Sequence, residues 1–397
     1  MSSHPGEHLR NRAGGLPPIA GVSTSGTAFV DHFPRGPVLE PTRVTSFAEF
    51  ARVFGPVHSQ SNASYAVRQF FFNGGSVAWV VRVELAEDAL PGADGTGGDP
   101  TAVRAAVVSG LNVLTAPSPG DVNLLCLPVA STLGEQQGEL LRAAVIWCEE
   151  QGVILLVDPP LGPAGASAAA VTSWCAGEDG PPASNHAAFY WPRLVVPDPT
   201  VPGTNREIGP SGSVAGIMAR LDSSRGVWKA PAGNEATIRG AELAVVVDES
   251  DEAQLSLAGV NALRALPSGD ALVWGARTLG GAGTGEWRYL SVRRTALFLE
   301  QSLVAGLQGV VFEPNDEPLW SQIRLTVGSF LSDLFRQQAF QGNSPDDACY
   351  VRCGRDTMSQ DEIDRGVVNV VVGFAPVRPA EFVVLRIRLV AGEPPPD

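Results

Sequence analysis

The chain has 397 residues, of which 44% are hydrophobic and 18% are charged, a balance typical of a folded protein large enough for two domains. Its formal net charge of −14 and pI near 4.8 argue against nucleic acid as a partner. No apolar run approaches the roughly 18 residues needed to span a bilayer, and the first residues lack a secretory signal pattern. We therefore expect cytoplasmic assembly and no direct membrane insertion.

The acidic charge is concentrated before residue 271. Residues 1–270 carry 16 basic and 27 acidic side chains, a balance of −11, whereas residues 271–397 carry 12 and 15, a balance of −3. The five cysteines form no CxxC pair and no cluster with histidine. This pattern favours reduced, buried thiols over a metal site, and we expect neither a metal nor a cofactor.

Strands and helices alternate along the first part of the chain. Residues 1–20, polar and rich in Gly and Pro, are interpreted as a flexible N-terminal arm. Continuous apolar runs predict strands at residues 27–30, 77–83, 123–128, 153–158 and 187–191. Capped or amphipathic runs predict helices at residues 47–54, 65–72, 135–151 and 209–221. The alternation predicts an α/β domain whose parallel sheet is covered on both faces.

From residue 271 the pattern changes to that of an α+β C-terminal domain. A helix is predicted at residues 289–307, and the acidic, proline-containing residues 315–318 begin another. The second helix has one apolar face, formed by Trp320, Ile323, Val327, Phe330, Leu331 and Leu334. Strands are predicted at residues 367–374 and 382–390, followed by a Pro-rich tail at residues 391–397.

No catalytic constellation is recognisable in the sequence. The five histidines are scattered, and neither an HExxH nor a Walker A motif is present. Ser211 misses the GxSxG spacing by one position, and Ser25 lies in a segment that only faintly resembles a subtilase serine loop. A serine hydrolase is therefore the less favoured alternative, and we expect no enzymatic activity.

Several segments, in order along the chain, resemble the contractile tail sheath family of phages, R-type bacteriocins and extracellular contractile injection systems. They include an NGG segment with the strand after it, a WxAPAG-like loop, and an APVRPAEF run near the carboxyl end. The matching segments are residues 21–25, 35–37, 44–47, 54–55, 65–75, 80–83, 225–233, 261–264, 273–279, 293–294, 312–316 and 375–382.

The resemblance implies a compact tail-sheath fold with two domains. An outer α/β domain, subtilisin-like in topology but without the catalytic triad, would occupy residues 21–270 together with the sheath N-terminal region. An inner C-terminal domain at residues 271–390 would carry an exchanged terminal strand.

The resemblance also implies a structural function. Subunits would form stacked hexameric rings around an inner tube, and contraction of this helical sheath would drive the tube through a target envelope. The implied partners are further copies of the chain, the tube protein, and baseplate and terminal cap proteins, within a phage tail or a tail-like particle that can be released from the cell. Residues 1–20 do not match the family's opening strand, so a minor paralogue or a baseplate-proximal ring component is an alternative.

Two groups of residues are candidates for assembly contacts. A terminal strand can add to the edge of a neighbour's sheet through its backbone, and we expect this of the inter-subunit linking strand. Its residues are Phe382, Val383, Val384, Leu385, Arg386, Ile387, Arg388 and Leu389. In the nearly neutral C-terminal part, Arg324, Arg336, Arg386 and Arg388 are candidate tube-facing side chains, although a generic acidic protein surface explains the charge distribution equally well.

Overall fold

The computed structural model describes residues 16–390 apart from 93–95, 116–119, 267–268, 270, 282–284, 286 and 378–382. These residues form two compact units. The sheet unit contains residues 22–301 and 376–377, and the C-terminal unit contains residues 16–21, 302–375 and 383–390.

The structure assigns regular elements to most of the predicted segments. The strands are β1 (Thr27–His32), β2 (Thr42–Val44), β3 (Ala78–Val83), β4 (Leu124–Cys126), β5 (Ile154–Val157), β6 (Ala187–Trp191), β7 (Leu194–Pro197), β8 (Asn205–Ile208), β9 (Thr237–Ile238), β10 (Glu242–Leu243), β11 (Val260–Ala265), β12 (Ala271–Val273), β13 (Cys349–Arg352), β14 (Val367–Phe374) and β15 (Val383–Val390). The helices are α1 (Phe47–Phe54), α2 (Asn62–Phe72), α3 (Pro100–Val113), α4 (Gln137–Gln151), α5 (Ala168–Ala176), α6 (Ser211–Arg225), α7 (Glu249–Leu257), α8 (Leu290–Gly306), α9 (Glu317–Arg336), α10 (Pro345–Ala348) and α11 (Gln360–Asp364).

A nine-stranded sheet is the centre of the sheet unit, in the order β2-β3-β1-β4-β5-β6-β11-β12-β9. Neighbouring strands from β3 to β11 are parallel. The outer strands β2, β12 and β9 pair in the antiparallel sense. A smaller antiparallel sheet, β10-β7-β8, belongs to the same unit. The predicted parallel sheet is confirmed.

Both faces of the large sheet are buried. Along β1, Phe29 lies in one apolar cluster, and its neighbours Ala28 and Val30 lie in the other. Helices α1, α2, α6 and the start of α8 contribute to the first cluster, and α3, α4, α5 and α7 contribute to the second. Strands covered on both sides carry continuous apolar sequence, which is why these runs were recognisable.

Helices α2 and α6 approach each other closely because α6 carries glycine at the contact. A Cβ atom on Gly212 would lie 2.3 Å from the carbonyl oxygen of Ala66, and one on Gly216 would lie 2.3 Å from that of Phe70. Both distances are shorter than any ordinary van der Waals contact. Only glycine at these two positions allows this spacing.

Two buried aspartates at the carboxyl ends of parallel strands hold the N-termini of these two helices. The Asp31 carboxylate accepts hydrogen bonds from the Ala63 amide, 2.8 Å away at the start of α2, and from the His32 amide at 2.7 Å. Asp158, after β5, accepts from the amide and the hydroxyl of Ser211 at 2.8 and 2.7 Å. Each carboxylate thus satisfies helix N–H groups that have no partner within the helix.

A buried ion pair ties α8 to α6 within the sheet unit. Arg294 lies 2.6 Å from Asp222, and the two side chains are 3% and 4% exposed. Thr24 donates its hydroxyl to Asp222 at 2.7 Å, and its carbonyl oxygen accepts from Arg294 at 2.9 Å. Removing one partner of such a pair typically costs about 3–5 kcal/mol, because the other charge stays buried.

The break between the two units differs in position from the change of pattern in the sequence. The sequence changes at residue 271, whereas the units divide between Gln301 and Ser302. The reason is that β12 joins the large sheet, and that Leu290 and Leu297 of α8 pack in its core.

In the C-terminal unit, α9 has the apolar face predicted from its sequence. Asp316 caps the helix through the Leu319 amide, and Pro318 lies in the first turn. The six predicted face residues are all buried, together with Leu319. Ser359 and Glu362 form a capping box at the start of α11.

We predict that Gly216→Ala destabilises the protein, because the added Cβ would overlap the Phe70 carbonyl oxygen. The expected loss is about 1–3 kcal/mol, measured by thermal or urea denaturation. Gly328→Ala is the matched control. Gly328 lies inside α9, and a Cβ atom added to it would meet no described atom within 4 Å beyond its chain neighbours and the backbone of its own helix, so alanine there should be neutral or stabilise by up to about 1 kcal/mol. Equal effects of the two substitutions would contradict the proposed close contact.

We also predict that Asp31 makes stability depend on pH. Burial raises the pKa of Asp31 to about 7 from 3.8, although the Ala63 and His32 amides and the Ser61 hydroxyl act in the opposite direction. Between these values the folded state holds the proton more tightly than the unfolded state. The contribution to the free energy of unfolding is therefore full below pH 3.8 and falls, by at most about 1.4 kcal/mol per pH unit, as pH rises to about 7.

The measurement is urea denaturation of the wild type and of Asp31→Asn from pH 4.5 to 8. In the variant, the free energy of unfolding should lack the decrease between pH 4.5 and 7 that Asp31 causes in the wild type. This expectation does not depend on the absolute stability of the variant. Burial lowers the pKa of the neighbouring His32, and its contribution is common to both proteins and cancels in the difference. Identical pH slopes in the two proteins would refute the role assigned to Asp31.

Candidate assembly surface

The C-terminal unit contains a three-stranded antiparallel sheet in the order β13-β14-β15. Strand β15 pairs with β14 over eight residues, from Val383 opposite Phe374 to Val390 opposite Val367. One edge of the predicted linking strand is thus already occupied within its own chain. Since β15 is last in the sheet order, its outer edge faces no other strand of the described residues.

The two faces of β15 differ in character. Leu385 and Ile387 are buried and Leu389 is half-buried, whereas Arg386 and Arg388 are exposed. This is the alternation expected of a strand with one face on a core. Phe382, at the start of the predicted linking strand, lies outside the described residues.

The middle of the sheet is packed tightly across its strands. Gly373 of β14 lies opposite Tyr350 of β13, and a Cβ on Gly373 would lie 2.2 Å from the Tyr350 ring. The tyrosine ring therefore covers the glycine backbone. Phe374 at the end of β14 packs on Phe340, with ring centroids 5.5 Å apart. These contacts support β14, on which β15 is paired.

The two candidate arginines on α9 have different surroundings. Arg324 contacts the Glu317 carboxylate at 2.6 Å and the carbonyl oxygen of Cys353, so its guanidinium group takes part in local packing. Arg336 pairs with Asp333 of the same helix, and its side chain is 73% exposed. Arg336, Arg386 and Arg388 are therefore more accessible to a partner than Arg324.

One exposed apolar residue on α9 was not identified from the sequence. Leu325, which follows Arg324 in α9, is 76% exposed, whereas most other large apolar side chains of this helix are buried. The sequence indicates this exposure only through the position of Leu325 outside the apolar face of α9. A single exposed leucine is common on protein surfaces, so Leu325 alone does not mark a contact site.

Within the described part of the chain, neither Ser25 nor Ser211 is hydrogen-bonded to a histidine. Ser211 donates its hydroxyl to Asp158, and both side chains are buried. His186 instead contacts the Val153 carbonyl oxygen at 2.8 Å and Arg293 on its other nitrogen, and burial and Arg293 lower its pKa. Ser25 contributes its carbonyl oxygen to the Thr27 hydroxyl. The hydrogen bonds between Ser211 and Asp158 thus connect the N-terminus of α6 to the end of β5.

Metal-ligating side chains are similarly dispersed in the described part of the chain, where no group of three histidines, cysteines or acids is placed to hold an ion. The acidic residues after Asp248 begin α7, and Asp248 and Asp251 form its capping box. Burial raises the pKa of Cys126 and Cys148 well above the usual value. None of the helices described has both the length and the apolar character needed to cross a bilayer.

Comparisons with known proteins agree with this architecture. Residues 284–390 match the model of the phage tail sheath C-terminal domain. The sequence has no match among curated proteins.

Solved structures resemble the chain over nearly its whole length. The helical sheath of the anti-feeding prophage (AFP) in its contracted state has 29% sequence identity and a TM-score of 0.72, with 98% of this chain and 99% of that chain covered. A chain of the AFP baseplate, 6-fold symmetrised, has 29% identity and a TM-score of 0.71 over the same shares. The contracted sheath complex of the extracellular contractile injection system PVC has 26% identity and a TM-score of 0.71, with 98% of both chains covered.

Three features point the same way: a sheath C-terminal domain in the sequence, an end-to-end match to two contractile sheaths, and a mixed α/β fold shared with them. Residues 284–390 thus carry a phage tail sheath C-terminal domain, and the chain as a whole is similar to the contractile sheath proteins of AFP and PVC.

Proposed function

We propose that the protein is a sheath subunit of a contractile injection machine. It polymerises as stacked hexameric rings around an inner tube, and the polymer contracts to drive the tube through a target envelope. The observation that carries this proposal is the match to the contracted AFP helical sheath, which covers 98% of this chain and 99% of that one. Electron microscopy of the purified protein tests it: hollow, striated cylinders are expected, and persistent monomers at every concentration and beside the cognate tube protein would contradict it.

We assign a different role to each of the two units. An outer α/β region, subtilisin-like in topology and without a triad, faces away from the tube, and the inner C-terminal region carries the linking strand and the tube contacts. Baseplate and terminal cap proteins bind the ends of the polymer. Assembly takes place in the cytoplasm, within a phage tail or a tail-like particle that lysis can release.

Linkage between subunits rests on the edge of the C-terminal sheet. The backbone of β15 is ordered by eight residues of pairing with β14, and its outer edge, which faces no other strand of the described residues, can take a strand from a neighbouring copy. Alternatively, β15 itself leaves β14 and pairs with a neighbour. Both routes join copies through backbone hydrogen bonds, which hold while the subunits rotate. Contraction is then a switch between two packings of the same subunits.

A second candidate function is a minor sheath paralogue or a baseplate-proximal ring. The AFP baseplate chain matches this sequence at the same 29% identity as the helical sheath does. Protein stoichiometry in purified particles separates the two functions. A major sheath subunit outnumbers the baseplate proteins many-fold, whereas a ring component is present in comparable numbers.

A serine hydrolase is less favoured, and Ser25→Ala and Ser211→Ala should remove no hydrolytic activity.

We predict that Val384→Pro, or deletion of residues 382–397, leaves a folded subunit that does not form sheath. Proline removes a backbone N–H and constrains φ near the start of the linking strand. Val384→Ala is the matched control because it keeps the N–H group, and it should assemble normally. Circular dichroism verifies folding and negative-stain microscopy scores assembly. Normal cylinders from the proline variant would refute the linkage.

We further predict that charge reversal at Arg386 and Arg388 weakens binding to the inner tube. Both side chains are exposed on the solvent face of β15, so the double change to glutamate should alter contacts and leave the core intact. Arg52→Glu is the control, since Arg52 is 74% exposed on α1 in the sheet unit. Co-sedimentation with assembled tube at several salt concentrations is the measurement. Equal binding by the double variant and the control would remove these arginines from the tube contact.

A further inference from the structure

A cleft of about 260 Å³ opens on the sheet unit and takes no part in the proposed linkage. It is bounded by the loop at Ala230–Ala232, by α7, and by the residues that follow β12. The aromatic side chains of Trp274 and Tyr289 and the guanidinium group of Arg277 line it. The cleft therefore combines flat apolar surfaces with a cationic group.

The indole ring of Trp274 is held in place although it is 43% exposed. Its N–H donates to the Glu252 carboxylate at 2.5 Å, and the Arg264 guanidinium lies 4.9 Å from its centroid. Arg264 also pairs with Glu252 at 3.0 Å. A large apolar side chain fixed in this way loses little conformational entropy when it is covered, which favours binding.

The charged side chains that line the cleft are Arg277 and Glu252, and they differ in how they are paired. Arg277 donates to the Ser256 carbonyl oxygen at 2.8 Å, and burial and the neighbouring Arg288 lower its pKa. No carboxylate of the described residues forms an ion pair with Arg277 or Arg288. Glu252 is paired with Arg264, so Arg277 is the charged lining residue that no described carboxylate neutralises.

We infer that this cleft binds the acidic, proline-rich segment 391–397 of a second copy of the chain. The segment reads Ala-Gly-Glu-Pro-Pro-Pro-Asp, with two carboxylates separated by three prolines. Proline rings pack well on aromatic side chains, and an extended Pro-rich segment has few conformations to lose on binding. Glu393 and Asp397 would be about 12 Å apart in such a conformation, so one of the two carboxylates can pair with Arg277 while the prolines between them cover the aromatic rings.

This inference rests on the proposed function in one respect: neighbouring copies in a sheath supply the tail at high local concentration. A contact of this size is weak between free subunits and gains strength in a polymer, where every copy offers one tail and one cleft. It adds a contact that is separate from β15, since the segment begins after the last residue of that strand.

The test uses dispersed subunits that end at residue 390 and a fluorescent, C-terminally amidated peptide of residues 391–397. Fluorescence anisotropy should show saturable binding. Trp274→Ala and Arg277→Glu should each weaken it at least tenfold, and a peptide with Glu393→Gln and Asp397→Asn should bind at least fivefold more weakly. Val246→Ala is the control, because Val246 is an exposed apolar residue of the same unit, at 78%, and does not line the cleft.

Three results would overturn the inference: absence of saturable binding, binding that is unchanged by Trp274→Ala, or exclusion of the peptide by monomeric full-length protein, which would show that the tail occupies its own cleft. If the shortened chain does not fold, a full-length host with Pro394, Pro395 and Pro396 replaced by serine is used. Because the titration needs no assembly, its failure leaves cylinder formation unaffected, and failure to form cylinders leaves peptide binding measurable.

Discussion

The packing of helices α2 and α6 on the large sheet depends on two buried carboxylates. Asp31 and Asp158 each end a parallel strand and each accept hydrogen bonds from the first turn of one helix. Their burial is tolerated because the helix N-termini supply donors and partial positive charge. Once these two helix starts are placed, Gly212 and Gly216 allow α6 to lie directly against the backbone of α2. The sheet unit is thus a closely fitted body.

Elements with strong local signals were predictable, and elements that depend on tertiary contacts were not. The buried strands and the apolar face of α9 follow from residue periodicity. Helix α3 was missed despite its Asp99 cap, because Val103, Val107 and Gly110 lower helix propensity. Gly110 is explained only by the fold, since a Cβ there would lie 2.5 Å from the Val30 side chain. Such a requirement cannot be inferred from a single sequence.

The same contrast between local sequence signals and tertiary contacts applies to the candidate assembly residues. Alternation of apolar and charged residues predicted the strand character of β15 and the two faces that the structure describes. Its pairing with β14 was not predictable, since strand partners are chosen by the whole fold and not by the strand itself. The same holds for Arg324, whose contact with the Cys353 carbonyl oxygen joins residues far apart in sequence. On charge alone, Arg324 could not be distinguished from Arg336, Arg386 and Arg388, which are more accessible.

The arginines of β15 also restrict which strand can lie beside it. If the outer edges of two β15 strands met, the guanidinium groups at positions 386 and 388 would gather on one face of a ribbon, where like charges repel. Unassembled subunits are thereby discouraged from joining through identical edges, a common route to aggregation for open sheets. A strand with acidic or neutral side chains escapes this repulsion. The same side chains that disfavour pairing of two β15 edges therefore favour pairing of β15 with a strand of different sequence.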